Sequence, residues 1–172
     1  MDSCPRRSRD ADAVRAVQAT LGLPPVIKAA NALSLFGEHA AGWLALGMVG
    51  AAVDRPRRRE WLWATAQVAM AHGASIAVKR LVGRPRPAGE GIRPLATTHS
   101  TLSFPSAHAA STTAAAVAFG RVTGQALAPV LVPPMLISRL VLGVHYPTDV
   151  LAGSALGALI GVTSAPRKDA GR

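Results

Sequence analysis

The chain of 172 residues contains a single cysteine, few aromatic residues and few acidic residues. Because Cys4 stands alone, an intrachain disulfide and a thiolate metal site are both excluded. Aromatic residues make up only 4% of the chain, so it offers little surface on which nucleic-acid bases could stack. This scarcity argues against a nucleic-acid partner, although the net charge of +10 would by itself favour one.

Hydrophobic residues make up 49% of the chain and occur in runs that are apolar on every side. Short blocks rich in arginine and lysine separate these runs, as in the loops of membrane proteins. The pattern predicts an all-α, multi-pass bundle of about five transmembrane helices in the cell membrane. The predicted spans cover residues 24–53, 61–78, 105–120, 126–145 and 147–165.

The chain is expected to form one domain with two tails. Residues 1–23 are predicted to form a basic N-terminal tail or an interfacial helix, because they are polar and rich in arginine. Residues 24–165 form the predicted membrane domain, and residues 166–172 form a basic C-terminal tail.

Three clusters of polar residues interrupt the apolar sequence, each next to the end of a predicted span. Their candidate site residues are Lys79 and Arg86, then Ser106, Ala107 and His108, and finally Arg139, His145 and Asp149. Ionisable groups at the edge of a membrane are costly, so their default interpretation is functional. Five spans place all three clusters at the same membrane face, which predicts one composite site.

The side chains in these clusters suit the transfer of a phosphoryl group. Lysine and arginine supply permanent positive charge for a phosphate, and a helix N-terminus near Ser106 adds backbone donors. One imidazole can attack phosphorus while another protonates the departing oxygen. Asp149 follows His145 by four residues, close enough to hold one ring nitrogen and leave the other free. No metal or other cofactor is required by this set.

The three clusters resemble the signature motifs of the type 2 phosphatidic acid phosphatase superfamily. These motifs are Lys-x6-Arg-Pro at residues 79–87, Pro-Ser-Gly-His at 105–108 and Ser-Arg-x5-His-x3-Asp at 138–149. Ala107 stands where the family usually has glycine. The resemblance implies a metal-independent phosphoric monoester hydrolase that acts on membrane lipids.

The same resemblance implies a role for each motif residue. His145 would form a phosphohistidine, Asp149 would orient it, and His108 would protonate the leaving group. The phosphate would contact Lys79, Arg86, Ser106, the Ala107 amide and Arg139. Arg80 and Arg84 lie between the motif positions, and the alternative for them is contact with lipid headgroups alone.

The substrate implied by the resemblance is a lipid phosphate. Residues 35–39, 102–109 and 143–147 resemble a subgroup that dephosphorylates a polyprenyl-linked ribose phosphate for cell-wall arabinan synthesis. Undecaprenyl pyrophosphate and phosphatidylglycerophosphate are alternative substrates, and a catalytically silent binder of lipid phosphates is an alternative function. The distribution of cations between the two faces leaves the orientation in the membrane open.

Glu38 and His39 lie outside the three motifs but inside the first predicted span. Neither side chain should face lipid at that depth. They are therefore expected either to meet headgroups and water at the interface or to contact the headgroup of the substrate.

Gly153, Gly157 and Gly161 recur at every fourth position of the last predicted helix. This spacing gives a smooth strip that allows close contact between helices. The partner is expected to be another helix of the same subunit or, in a homo-oligomer, a second copy of the chain.

Overall fold

The structure is a computed structural model that describes residues 9–89 and 91–164. Within these residues the secondary structure is helical, without a β-strand, and the prediction of an all-α fold is confirmed. The helices are α1 (Arg9–Leu21), α2 (Pro24–Phe36), α3 (Ala41–Val53), α4 (Arg58–Val82), α5 (Ala107–Thr123), α6 (Ala128–Val141) and α7 (Pro147–Gly161).

The first predicted span is two helices rather than one. α2 and α3 are joined by a break at residues 37–40 and bend by 48° relative to each other. At the break His39 and Ala40 have φ values of 49° and 60°, and this left-handed conformation interrupts the helical path. By length and hydropathy this bent pair is sufficient to cross a membrane, whereas no single helix in the described part of the chain is.

The fourth predicted helix ends before the third motif is complete. α6 stops at Val141, and Gly143 follows with a φ of 65°. A Cβ atom on Gly143 would lie 2.5 Å from the Arg93 carbonyl oxygen, so this turn needs glycine. As a result, His145 lies in the short loop before α7 rather than at the end of a helix.

α5 is the central helix, and it contacts α3, α4, α6 and α7. Its buried surface consists largely of alanines, which allow the neighbouring helices to approach closely. On one side the Trp43 indole of α3 donates a hydrogen bond of 3.0 Å to the Thr112 hydroxyl. The core therefore combines small residues with a few buried polar contacts.

The glycine strip of α7 packs inside the subunit. Cβ atoms at Gly153, Gly157 and Gly161 would meet α5 backbone oxygens, the closest being the Ala110 oxygen at 2.2 Å from Gly157. Of the two expected partners, the one observed is a helix of the same chain, because α5 covers this strip.

The N-terminal helix α1 packs against α6 and α7. The Gln18 amide donates to the carbonyl oxygens of Arg93, at 2.6 Å, and Val141, at 3.0 Å. α1 thereby holds the long connection between α4 and α5 against the end of α6. The predicted C-terminal tail and the first eight residues of the predicted N-terminal tail lie outside the described residues.

Candidate active site

A cavity of about 420 Å³ opens where α4, α5, α6 and the break between α2 and α3 meet. This volume is within the range of small-molecule sites. Its walls include the following predicted residues: Glu38, His39, Lys79, Arg86, Ala107, His108, Arg139 and His145. Ser106 and Asp149 are fully buried nearby, and the Ser106 amide donates to the Asp149 carbonyl oxygen at 3.0 Å.

Positive charge is concentrated in this cavity. Arg139 is only 2% exposed; its Nη1 donates to the Ser34 hydroxyl at 2.7 Å, and its buried Nε has no hydrogen-bond partner. The Lys79 ammonium is also buried and donates to the carbonyl oxygens of Leu102 and Ser103. Among the ion pairs of the described residues, none involves Lys79, Arg86 or Arg139. Buried charges are normally paired, so this group of cations is suited to an incoming anion.

Arg86 links the chain segment between α4 and α5 to the loop that carries His145. Its guanidinium donates to the carbonyl oxygens of Ser100 and Val144, each at 2.7 Å. The same Nη1 lies 3.3 Å from the Nε2 atom of His145. Burial lowers the pKa of Arg86, and the charge of Asp149 opposes that change. Arg86 therefore places a positive charge directly beside the histidine.

His145 has one ring nitrogen toward the carboxylate of Asp149 and the other toward the cations. Nδ1 lies 3.5 Å from Asp149 Oδ2, without hydrogen-bond geometry. Catalytic hydrogen bonds are often long in a free enzyme and tighten in the complex. Burial, followed by the charges of Arg139 and Arg86, lowers the pKa of His145 well below its usual value. This shift favours the neutral imidazole, which is the form that can act as a nucleophile.

The Asp149 carboxylate accepts hydrogen bonds from two residues. Its Oδ2 accepts a 2.8 Å hydrogen bond from the Tyr146 amide, and its Oδ1 accepts a 2.9 Å bond from Arg84. Arg84 also forms a 2.8 Å ion pair with Asp10 of α1 and lies over the Tyr146 ring. Contact with lipid headgroups alone is therefore the wrong alternative for Arg84. Side chains two residues apart in an extended segment lie on the same side, so the position of Arg84 two residues before Arg86 was a sequence signal that it belongs to the site.

His108 and Arg139 both contact Ser34 of α2. His108 Nε2 lies 3.0 Å from the Ser34 carbonyl oxygen, and the Ser34 hydroxyl accepts from Arg139. Ser106 caps α5, where its hydroxyl accepts a 3.4 Å hydrogen bond from the Ala109 amide. A lone serine in an apolar helix carries no distinctive pattern, and sequence reasoning missed Ser34 for that reason.

Comparison with known proteins identifies the family. A sequence profile of the PAP2 superfamily matches residues 60–168. The chain belongs to the PAP2 superfamily. It is 54% identical over 147 residues to a decaprenylphosphoryl-5-phosphoribose phosphatase of Mycobacterium tuberculosis, covering 85% of this chain and 83% of the relative. A protein of the same name from Mycolicibacterium smegmatis is 52% identical over 147 residues, covering 86% and 82%.

The fold of this PAP2 chain is also found in a solved structure. The crystal structure of a transmembrane PAP2-type phosphatidylglycerolphosphate phosphatase from Bacillus subtilis matches with a TM-score of 0.72 and 24% identity. The match covers 91% of this chain and 84% of the other. The resemblance drawn from the three motifs is confirmed, and the chain is a phosphoric monoester hydrolase of the PAP2 type.

Proposed function

We propose that this PAP2 phosphatase removes the 5-phosphate from decaprenylphosphoryl-5-phosphoribose and yields decaprenylphosphoryl ribose for cell-wall arabinan synthesis. The observation that carries the proposal is the buried Arg139, whose Nε has no partner until an anion arrives. The names of the mycobacterial relatives supply the identity of the lipid. A phosphate monoester carries up to two negative charges, which suits the three cations of the cavity.

In the proposed mechanism the neutral Nε2 of His145 attacks phosphorus and the bond from phosphorus to the ribose oxygen breaks. Protonated His108 gives its proton to that oxygen, and the ribose lipid leaves. A water molecule then attacks the phosphohistidine, gives a proton back to His108, and releases inorganic phosphate. Asp149 supports the positive charge on His145, and Arg139 stabilises the charge on the phosphoryl oxygens.

The proposed setting of this chemistry is the cell membrane, crossed by about five helical segments: the bent α2–α3 pair, α4, α5, α6 and α7. Large apolar side chains on the outside of these helices support the assignment, since lipid is a favourable surrounding for them. They include Leu46, Met48, Val49, Val130, Ile137, Leu151 and Leu159. Residues 24–165 constitute the membrane domain, with a terminal segment at each end.

Glu38 and His39 are proposed to contact the sugar of the substrate rather than its phosphate. Both lie in the wall of the cavity that holds the three cations. A hydrogen bond to a charged group contributes about 1.5–3 kcal/mol. If the bond persists in the transition state, its loss lowers kcat/KM by roughly ten- to a hundred-fold.

The test is phosphate release by the purified chain from four lipids. These are decaprenylphosphoryl-5-phosphoribose, phosphatidylglycerophosphate, undecaprenyl pyrophosphate and phosphatidate. The highest kcat/KM is expected for the ribose lipid, and Glu38→Gln should reduce the rate on this lipid but not on phosphatidate. A higher kcat/KM for another lipid would refute the substrate assignment. If none of the four lipids is hydrolysed, the alternative of a catalytically silent lipid-phosphate binder is favoured. Equal losses on both lipids would assign Glu38 to architecture.

A further inference from the structure

Three potential metal ligands meet at the mouth of the cavity, where His39 and His99 are exposed to solvent. They are Glu38 and His39 from the break between α2 and α3, and His99 from the α4–α5 connection. Glu38 Oε1 lies 3.4 Å from His99 Nε2 and 3.8 Å from His39 Nε2. The ligand atoms of all three lie within 4.8 Å of one another. We propose that these residues bind a divalent transition-metal ion, with Zn²⁺ as the best fit, and that the bound ion inhibits the phosphatase.

The donor set and its spacing suit zinc. Two imidazoles and one carboxylate form a known zinc-binding combination that leaves a fourth position open. With bonds near 2.1 Å, neighbouring ligand atoms of a tetrahedral ion lie about 3.4 Å apart. Two of the observed separations, 3.4 and 3.8 Å, are already close to that value. His39 and His99 are 68% and 76% exposed, so small rotations can complete the contraction without disturbing the core.

The backbone at His39 is a second, independent observation. His39 and Ala40 are the only non-glycine residues with positive φ in the described part of the chain, and they are consecutive. A non-glycine residue in this conformation is strained and persists only where the surroundings impose it. Gly37 next to them lies against His108, because a Cβ there would be 2.7 Å from His108 Cδ2. The break therefore turns His39 toward His99 at a fixed place on the cavity wall.

Glu38 supplies the negative charge that a cation needs in this positively charged region. The phosphate position already has Lys79, Arg86 and Arg139, so its chemistry does not depend on an ion at the mouth. An ion shared by His39 and His99 would instead fasten the α4–α5 connection to the α2–α3 break. Because both segments line the cavity, this bridge would obstruct the entry of a lipid headgroup.

Binding is measured by titrating Zn²⁺ into the purified full chain, prepared without a polyhistidine tag, by calorimetry in detergent. One ion per chain is expected. His39→Ala and His99→Ala should each weaken binding by at least about tenfold, since even second-shell partners of metal ligands contribute that much. Thr98→Ala, a neighbouring change that removes no ligand, is the matched control. The site would be overturned if the wild type does not bind one Zn²⁺ ion per chain, or if both histidine variants bind Zn²⁺ as tightly as the wild type.

Inhibition is measured separately as the ratio of phosphatase rates with and without Zn²⁺ for each protein. The wild type and Thr98→Ala should lose activity in Zn²⁺ and recover it in EDTA, whereas His99→Ala should respond much less. If Zn²⁺ binds but does not lower the wild-type rate, the proposal that the ion obstructs entry to the cavity is refuted. The binding measurement needs no lipid, so a wrong substrate assignment and a wrong metal site give different results.

Discussion

Arg84 links the N-terminal helix to Asp149 and so to His145, the proposed nucleophile, and its removal is the most informative perturbation. Its guanidinium bonds Asp149 at 2.9 Å, and Asp149 in turn faces His145. Arg84 contacts no reacting atom in the proposed mechanism, so it acts as a positioning residue. Arg84→Gln keeps a polar side chain of similar length but removes the charge and the double contact with Asp10 and Asp149.

The expected magnitude follows from the lost contact. A hydrogen bond that involves a charged group contributes about 1.5–3 kcal/mol. Asp149 is fully buried, and Arg84 is 29% exposed, so solvent screens this pair less than a surface pair. Since Asp149 still accepts from the Tyr146 amide, it retains a partner in the variant. We expect kcat for Arg84→Gln to fall roughly ten- to a hundred-fold, with little change in KM.

The assay is a double-mutant cycle on phosphate release with Arg84→Gln, Asp149→Asn and the double variant. If Arg84 acts through Asp149, the double variant should be scarcely slower than Asp149→Asn alone. Arg59→Gln, which removes the same charge from an exposed position at the beginning of α4, is the matched control and should have a much smaller effect. Unchanged kcat in Arg84→Gln, or a double loss equal to the product of the single losses, would refute the reasoning.

Three further predictions concern the phosphate site. His145→Ala should abolish turnover while lipid binding remains; ordinary turnover would exclude the covalent mechanism. Activity should survive EDTA and be inhibited by vanadate, because fixed cations supply the charge; a requirement for Mg²⁺ would contradict this. The pKa of His145 is lowered by burial and by neighbouring cations, so Arg86→Gln should raise it and move the acid limb of kcat/KM to higher pH, as measured in a pH series. If the acid limb of kcat/KM does not move, the limb reports the titration of another group.

The motif residues of the cavity could be predicted because their information is local in the chain. Each motif has a fixed spacing, and the fold brings residues of all three motifs to one cavity. The break at residues 37–40 could not be predicted in this way. Positive φ is uncommon for any residue other than glycine, so the conformation of His39 and Ala40 depends on packing between distant segments.

Contacts between distant segments account for the other residues that were missed. Ser34 joins His108 to Arg139 across α2, and 105 residues separate Ser34 from Arg139. His99 reaches Glu38 only because the α4–α5 connection folds back over the cavity. The predicted end of the fourth span was wrong for a similar reason, because α6 stops shortly before Gly143 packs closely against the Arg93 carbonyl oxygen. None of these contacts leaves a periodic signal in the sequence.

The glycine strip of α7 has a consequence for how the chain can change in length. Gly153 faces Ser106, Gly157 faces Ala110 and Gly161 faces Ala114, so α5 and α7 run parallel and advance in step. One inserted residue in either helix would shift this alignment by about 1.5 Å and rotate the following side chains by about 100°. His108 and Asp149 lie at the beginnings of these helices, so such an insertion would move His108 relative to Asp149. Insertions and deletions among relatives should therefore be absent from α5 and α7 and be found in the connections between helices.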